Sequence, residues 1–506
     1  MKHKYPHLGR VRQSLSLIVT TLAAAAATGC AVGPDFQRPA VPAAEAYTRE
    51  QLTATASASL HGGEAQHFAT GIEVDRRWWT AFGSRPLDAL VEQAFTQNPS
   101  LASAQAALRQ ARENTAAQFG SYFPTVQAGY ARARQKDSAN LGAVLSSGEP
   151  LYTLHTSQVT VSYVPDVFGL NRRAVESLRA QEEALRFQVD AAYQTLAANV
   201  VSAAIQEAAL RAQVVAAEGM VDTNRHALDI LQRQAKLGVA SGLDLAMQQS
   251  ALAQAEQTLP PLRKQLEQTR NLLATLVGKL PVERESENLD LEAIQLPTEL
   301  PVSLPSRLVE NRPDVRAAEA QLHAASAQVG IAIANRLPQF ALVGIKGGSA
   351  TSFGEMFKNG NPFWNLTGSV TQTLFDFGTL KHRQGAAEAA LDMAAANYRS
   401  TVLTAFQNVA DSLYAVQEDA KMLAAGVDSE VAAKKTLDLI RRQLQLGAVN
   451  VLALYMAEQA YLQAHSTRLQ TQAARYTDTV ALFLALGGNQ LEDDQRVHRT
   501  GAPSEE

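Results

Sequence analysis

The sequence predicts a mainly α-helical chain with a smaller β portion, built by internal duplication. Three observations predict it. Spacings between glycines repeat without a gap. The longest stretches carry a seven-residue apolar beat. The short stretches between prolines and glycines alternate polar with apolar residues. The 506 residues include 45 Lys and Arg against 49 Asp and Glu, a net charge of −4. That balance gives no reason to expect a nucleic-acid partner. Hydrophobic residues make up 46%, so the chain is not disordered as a whole. Cys30 is the only cysteine, which excludes a disulfide framework and any cysteine-based zinc site.

Residues 1–29 read as an export signal. Lys2, Lys4, Arg10 and Arg12 form a basic start, and Leu15 to Ala27 is an apolar stretch. It is short for a spanning helix, which needs roughly 20 apolar residues. Thr28 and Gly29 stand just before Cys30, a placement that resembles a bacterial lipobox. The resemblance implies that Cys30 becomes the lipidated first residue of the mature chain. Ala31, in place of an aspartate, favours the outer membrane by the same resemblance. No later stretch is predicted to be a transmembrane helix, so any further crossing requires strands closed into a barrel.

The duplication follows from the intervals. Pro99 to Pro124 and Pro313 to Pro338 are both 25 residues. Gly169 to Gly238 and Gly378 to Gly447 are both 69; Gly238 to Gly278 and Gly447 to Gly487 are both 40. ALDILQRQAKLG (227–238) and TLDLIRRQLQLG (436–447) share six of twelve residues. A unit near 200 residues is too long for a solenoid repeat, which is roughly 20–45.

Each half is expected to hold the same parts in order. A helix (99–120; 313–335) leads into two strand-rich segments (123–168; 338–377). A long helix (170–236; 379–445) then turns at a glycine into a shorter one (243–278; 452–487). At 1.5 Å per residue the long helices reach roughly 100 Å. Val200, Val214, Val221 and Leu228 fall on one heptad track, and Val189, Leu196, Ala203 and Leu210 on its partner. Val409, Leu423 and Leu437 take the matching places in the second half. Glu207 falls on the first track, where a buried carboxylate is costly, so a simple two-stranded zipper is not expected.

The strand segments alternate. Val159, Val161 and Tyr163 interleave with Gln158, Thr160 and Ser162; Leu366, Val370 and Leu374 interleave with threonines and Ser369. Phe363, Trp364 and Tyr152 are expected at strand ends, as in an interfacial girdle. Four strands cannot close a barrel, and open edges are not viable in lipid. Several chains must share one barrel: two would give eight strands, three would give twelve.

No catalytic motif appears. The ten histidines include no His-Glu-x-x-His, and no Gly-x-Ser-x-Gly, Walker or dinucleotide signature is present. An enzyme, a metal site or a cofactor is therefore not expected, beyond the covalent lipid at Cys30.

CAVGPDFQRP (30–39), RWWTAF (77–82), NPSL (98–101), SYVPDVFG (162–169), LGVASGLDL (237–245), RPDV (312–315) and LGAVNVL (446–452), in this order, resemble the TolC-like outer-membrane efflux proteins, specifically the lipoprotein (NodT/OprM) branch of RND-type efflux systems. The resemblance implies a trimer with a 12-stranded outer-membrane β-barrel continued by a long α-helical periplasmic barrel. It implies a passive duct for drugs or other small molecules, lipid-anchored in the outer membrane, with a periplasmic adaptor and an inner-membrane pump as partners. It places the adaptor-docking tips at Gly238, Val239 and Ser241, and at Gly447, Val449 and Asn450. Family gates often use acids near the start of the last helix, but Ala453 and Met456 stand there. A gate is therefore expected from Asp244 with Arg233 or Arg442, or from apolar packing at Met456. The expected divisions are 1–29 signal, 30–75 lipidated segment, 76–297 first repeat, 298–488 second repeat and 489–506 polar tail. The competing reading is a periplasmic coiled-coil adaptor or structural lipoprotein without a channel, which leaves the duplicated strand pairs unexplained.

Overall fold

A computed structural model of the chain describes residues 31–40, 44, 46–50, 52–136, 138, 150–283 and 289–487. The export signal, Cys30, most of the loop 138–150 and the tail 489–506 lie outside the described residues. In chain order the elements are β1 (His67–Thr70), α1 (Arg85–Gln97), α2 (Pro99–Phe119), β2 (Thr125–Lys136), β3 (Leu151–Tyr163), α3 (Leu170–Lys236) and α4 (Gly242–Leu276). Then follow β4 (Glu299–Val302), α5 (Pro305–Asn311), α6 (Pro313–Ala334), β5 (Gln339–Ala350), β6 (Pro362–Thr371), α7 (Thr379–Gln445) and α8 (Val451–Leu486).

The chain separates into two compact units. One comprises Met1–Arg38, Leu108–Ala184 and Ala318–Asn397; the other comprises Pro39–Ala107, Leu185–Ala317 and Tyr398–Glu506. The first unit holds an antiparallel sheet in the order β2-β3-β5-β6. Its N-terminal residues 32–38 form a strap. Val32 N–H donates to Phe168 O at 3.1 Å, and Arg173 donates to Val32 O and to Asp35 at 2.8 Å. Phe36 stacks on His323 at 4.4 Å, and Arg38 pairs with Glu319 at 2.9 Å.

The second unit is mostly helical. The heptad tracks are buried at Val200, Val214, Val221, Val189, Leu196, Ala203 and Leu210 in α3, and at Val409, Leu423 and Leu437 in α7, whereas Leu228, nearer the end of α3, is only half-buried. Ala217 and Val221 pack with Ala255 and Leu259 of α4; Leu210 and Val214 pack with Leu266. Glu207 is buried after all, and Arg270 Nε holds it at 2.9 Å. The guanidinium offsets the desolvation that the bare sequence position implies. α3 contains an apolar stretch long enough to cross a bilayer by composition, but 67% of it is buried within the chain. Its apolarity is that of a core helix.

The same unit has parts the sequence pattern did not announce. β1 and β4 form a parallel pair, four residues each. The Trp78–Trp79 dipeptide builds an aromatic core in the same unit. Trp78 stacks on Phe483 at 5.6 Å and donates to Gln194 at 2.9 Å; Trp79 meets Phe95 edge-on. Arg475 of α8 is fully buried and grips residues 55–66. It donates to Thr55 Oγ1 (3.1 Å), Gly62 O (3.3 Å), Glu64 O (2.6 Å) and Gln66 Oε1 (3.3 Å). Burial pushes its guanidinium pKa down.

The duplication also shows in how helix ends are satisfied. The last carbonyls of a helix lack intrahelical donors. Asn98 Nδ2 donates to Leu276 O at 2.9 Å at the end of α4, and Arg312 Nη1 donates to Ala485 O at 2.8 Å at the end of α8. The Asn-Pro and Arg-Pro signatures thus start one helix and finish another in each half.

Candidate functional site

The sheet is amphipathic, and its two faces follow from register. On one face lie Val126, Ala128, Tyr130, Val159, Val161, Tyr163, Leu342, Trp364, Leu366 and Val370. The other carries Gln127, Thr160, Ser162, Asn365, Thr367 and Ser369, with Val343 and Ile345 among them. The apolar face is the more open one. Val159, Val161 and Leu342 are exposed on the central strands, whereas Thr160, Ser162 and Val343 are half-buried. A sheet that curves toward its polar side gives this contrast. β2 and β6 each pair on one side only among the described residues; β2 is exposed throughout and β6 everywhere but the half-buried Phe363. Two free edges of ten or more residues are a template for further strand pairing.

Several strand expectations need correction. β6 stops at Thr371, so Leu374 lies outside it and is 92% exposed. The chain is then committed to the next helix, whose first amides at Gly378 and Leu380 donate to the Asp376 carboxylate at 2.9 and 2.8 Å. Tyr152 is buried on the polar face opposite Gln135, and Phe363 shares that face through its pairing with Gly347. Of the three expected girdle residues, only Trp364 stands on the apolar side.

The second unit holds the two helical turns. α3 ends in a Schellman motif: Val239 N–H donates to Gln234 O (2.9 Å) and Gly238 N–H to Ala235 O (3.0 Å). α7 ends identically, with Ala448 to Gln443 O (2.9 Å) and Gly447 to Leu444 O (3.0 Å). Gly238 and Gly447 have φ of 74° and 72°, the left-handed region where a β-carbon is strained. Leu237, Val239 and Leu446 around them are strongly exposed, and Val449 is half-buried.

The returning helices start differently. Ser241 and Asp244 form a capping box. Ser241 Oγ accepts from Asp244 N at 3.1 Å, and Asp244 Oδ2 accepts from Ser241 N at 3.2 Å. Asn450 Oδ1 accepts from Ala453 N at 3.1 Å, with alanine where the box would need an acid. The expected pairing of Asp244 with Arg233 or Arg442 is not formed within the chain. Asp244 is engaged by the cap, and Arg233 pairs with Asp229 one turn back at 2.6 Å. Arg442 lies instead on an exposed basic stretch of α7 with Lys434 and Lys435, and Met456 is 63% exposed.

Between the two hairpins Met247, Gln248, Ser250 and Ala251 face Val451, Leu452 and Tyr455 across a groove of about 110 Å³. Tyr455 Oη donates to Gln254 across it. The second hairpin is stitched by Arg441 to Glu458 at 3.2 Å. Burial raises the Glu458 carboxyl pKa, and the guanidinium opposes it. Among the described residues no cluster of His, Cys, Asp and Glu could hold a metal ion.

An outer membrane efflux protein family model matches residues 90–279 and 304–488, one copy on each repeat. The chain belongs to the outer membrane efflux protein family. It is 31% identical over 423 residues to the pyoverdine export outer membrane protein OpmQ of Pseudomonas putida, covering 83% of this chain and 89% of OpmQ. It is 28% identical over 492 residues to the probable efflux pump outer membrane protein TtgC of the same species, covering 96% and 97%. The solved outer-membrane channel OprN superposes with a TM-score of 0.79 at 26% identity, covering 91% of this chain and 99% of OprN. This efflux protein is the outer-membrane channel component of an efflux system.

Proposed function

We propose that three copies of this efflux protein pool their sheets into one closed twelve-stranded barrel, continued by the helices as a periplasmic tunnel. The observation that carries the reading is the four-stranded sheet with an apolar face, a polar face and two unpaired edges. Pairing β2 of one copy with β6 of the next removes every edge, which lipid demands. Eight strands would fill their own interior, whereas twelve leave room for passage. The polar face then lines a passive pore that does no chemistry, and an inner-membrane pump supplies the energy. A periplasmic adaptor docks on the tips around Gly238, Val239, Ser241, Gly447, Val449 and Asn450. The names of the relatives, among them pyoverdine export and efflux pump proteins, support small-molecule export.

Unheated outer-membrane fractions should show a trimer-sized band that collapses on boiling, and the purified protein should conduct ions across a planar bilayer. A monomer-sized band without conductance would refute the shared twelve-stranded barrel.

Lipid anchoring at Cys30 belongs to the same proposal. The lipobox-like placement supports it, as does the strap that fixes the residues just after it. Cys30→Ser should abolish incorporation of a fatty-acid probe into the mature chain. Persistent labelling of that variant would refute the assignment.

A further inference from the structure

We infer that Arg132, Arg134 and Lys136 form a docking ladder for the phosphorylated headgroups of outer-leaflet lipid. The inference rests on the barrel reading above. The three cations occupy alternate positions of β2, so they share the face that carries Val126, Ala128 and Tyr130. They stand opposite His155, Thr153 and Leu151, on the half of the strand away from the helices. Successive members are about 7 Å apart along the strand. All three are exposed, and among the described residues no carboxylate pairs with them.

An aromatic band separates this ladder from the apolar part of the face. Tyr130 Oη bonds His155 Nδ1 at 2.7 Å. Its ring meets Phe353 edge-on at 5.6 Å, and Phe353 meets Phe357 at 6.2 Å. Phe353 and Phe357 lie beyond the end of β5, in the same turn as Ser352. Trp364 stands on this face beside Lys346, the one cation set lower on it among the described residues. Aromatic rings mark the level where hydrocarbon gives way to headgroups. Cations placed one to three steps beyond that level face the phosphate layer, not the acyl chains. Three unneutralised charges on a lipid-facing strand are costly in hydrocarbon and favourable against anions. A phosphate-bearing headgroup supplies the missing counter-charge at that depth. Basic residues could also protect an edge strand from mispairing, but that role requires no lipid specificity.

Full-length protein purified from outer membranes is transferred to nanodiscs that contain either a diphosphorylated glycolipid or the same lipid after phosphatase treatment. Lipid retained per chain is counted by native mass spectrometry. The phosphorylated form should be retained at least tenfold more strongly. The triple variant Arg132→Gln, Arg134→Gln, Lys136→Gln should lose that preference, by about fivefold per cation removed. Lys358→Gln, a cation paired with Glu355 in the turn, should keep it. The phosphatase arm uses the unaltered chain, so a folding defect in the variant cannot imitate the result. Equal retention of the two lipids, or a triple variant that matches the unaltered chain, overturns the ladder. Displacement of the lipid by millimolar inorganic phosphate would reduce it to a plain anion site and overturn the lipid assignment. Ser352→Cys reports separately on the barrel reading. It should react with an impermeant thiol reagent on intact cells, and reaction only after lysis would invert the topology and remove both proposals.

Discussion

Gly447→Val is expected to abolish export while leaving the assembled protein in the outer membrane. Gly447 sits at φ 72°, and a β-carbon there would meet nothing within 4 Å. The substitution therefore creates no clash. Its cost is the left-handed backbone, roughly 1 kcal/mol for an ordinary residue and more for a β-branched one. That is small against the stability of a large assembly, but it acts on one turn. Relaxing φ breaks the Ala448 to Gln443 bond and re-aims Leu446 and Val449, the side chains offered at the tip. Unheated gels should show trimer near the level of the unaltered chain, and a fluorescent efflux dye should accumulate as in cells without the protein. Full export alongside full trimer would refute the docking role. Loss of the trimer would instead assign the turn to assembly.

Arg475→Ala is expected to give the largest loss of stability. The guanidinium is the donor for four acceptors on residues 55–66, of which Thr55, Gly62 and Gln66 are buried and Glu64 is exposed. Truncation leaves the buried Gly62 O and Gln66 Oε1 without that donor, while the exposed Glu64 O can turn to water. Each orphaned group costs about 1–3 kcal/mol, so a total of about 3–5 kcal/mol is expected. Residues 52–66 should come loose from α8, and trypsin should remove the segment ahead of Arg76 from the purified protein. The melting temperature should fall as well. Arg475→Lys keeps the charge but not the planar fork, and should fall in between. Unchanged proteolysis and melting in the alanine variant would show that the aromatic core around Trp78 holds the segment alone.

Whereas α1 and α5 were not anticipated, the six other helices of the two repeats were legible from sequence nearly to the residue. Their ends are written by glycines at positions that require positive φ: Gly238 and Gly447 close α3 and α7, as the interval arithmetic anticipates. The strands were legible as alternation, but their faces were only partly so. Tyr152 is an aromatic near a strand end, which suggests a girdle, yet register against Gln135 turns it to the polar side. β1 and β4 left no trace. Four residues are too few for a period, and the partners are 232 positions apart from His67 to Glu299. The strap 32–38 has no regular structure to recognise. Asp244 shows the limit at the candidate site. An acid near a tip is equally suited to a gate and to a helix cap, and only the distance to Ser241 separates the two.

That strap bears on what an anchor does. A lipid on a flexible leader works as a leash, holding a protein near a surface at no fixed height. Here residues 31–38 are clamped to the first unit. A β-carbon on Gly169 would stand 2.6 Å from that of Ala31, and Val32 is bonded through both its amide and its carbonyl. One peptide unit, about 3.8 Å, then separates Ala31 from the cysteine. Acyl chains attached there would have no slack to spend. They would act as a depth gauge, setting the level at which the sheet meets the bilayer before any second copy arrives.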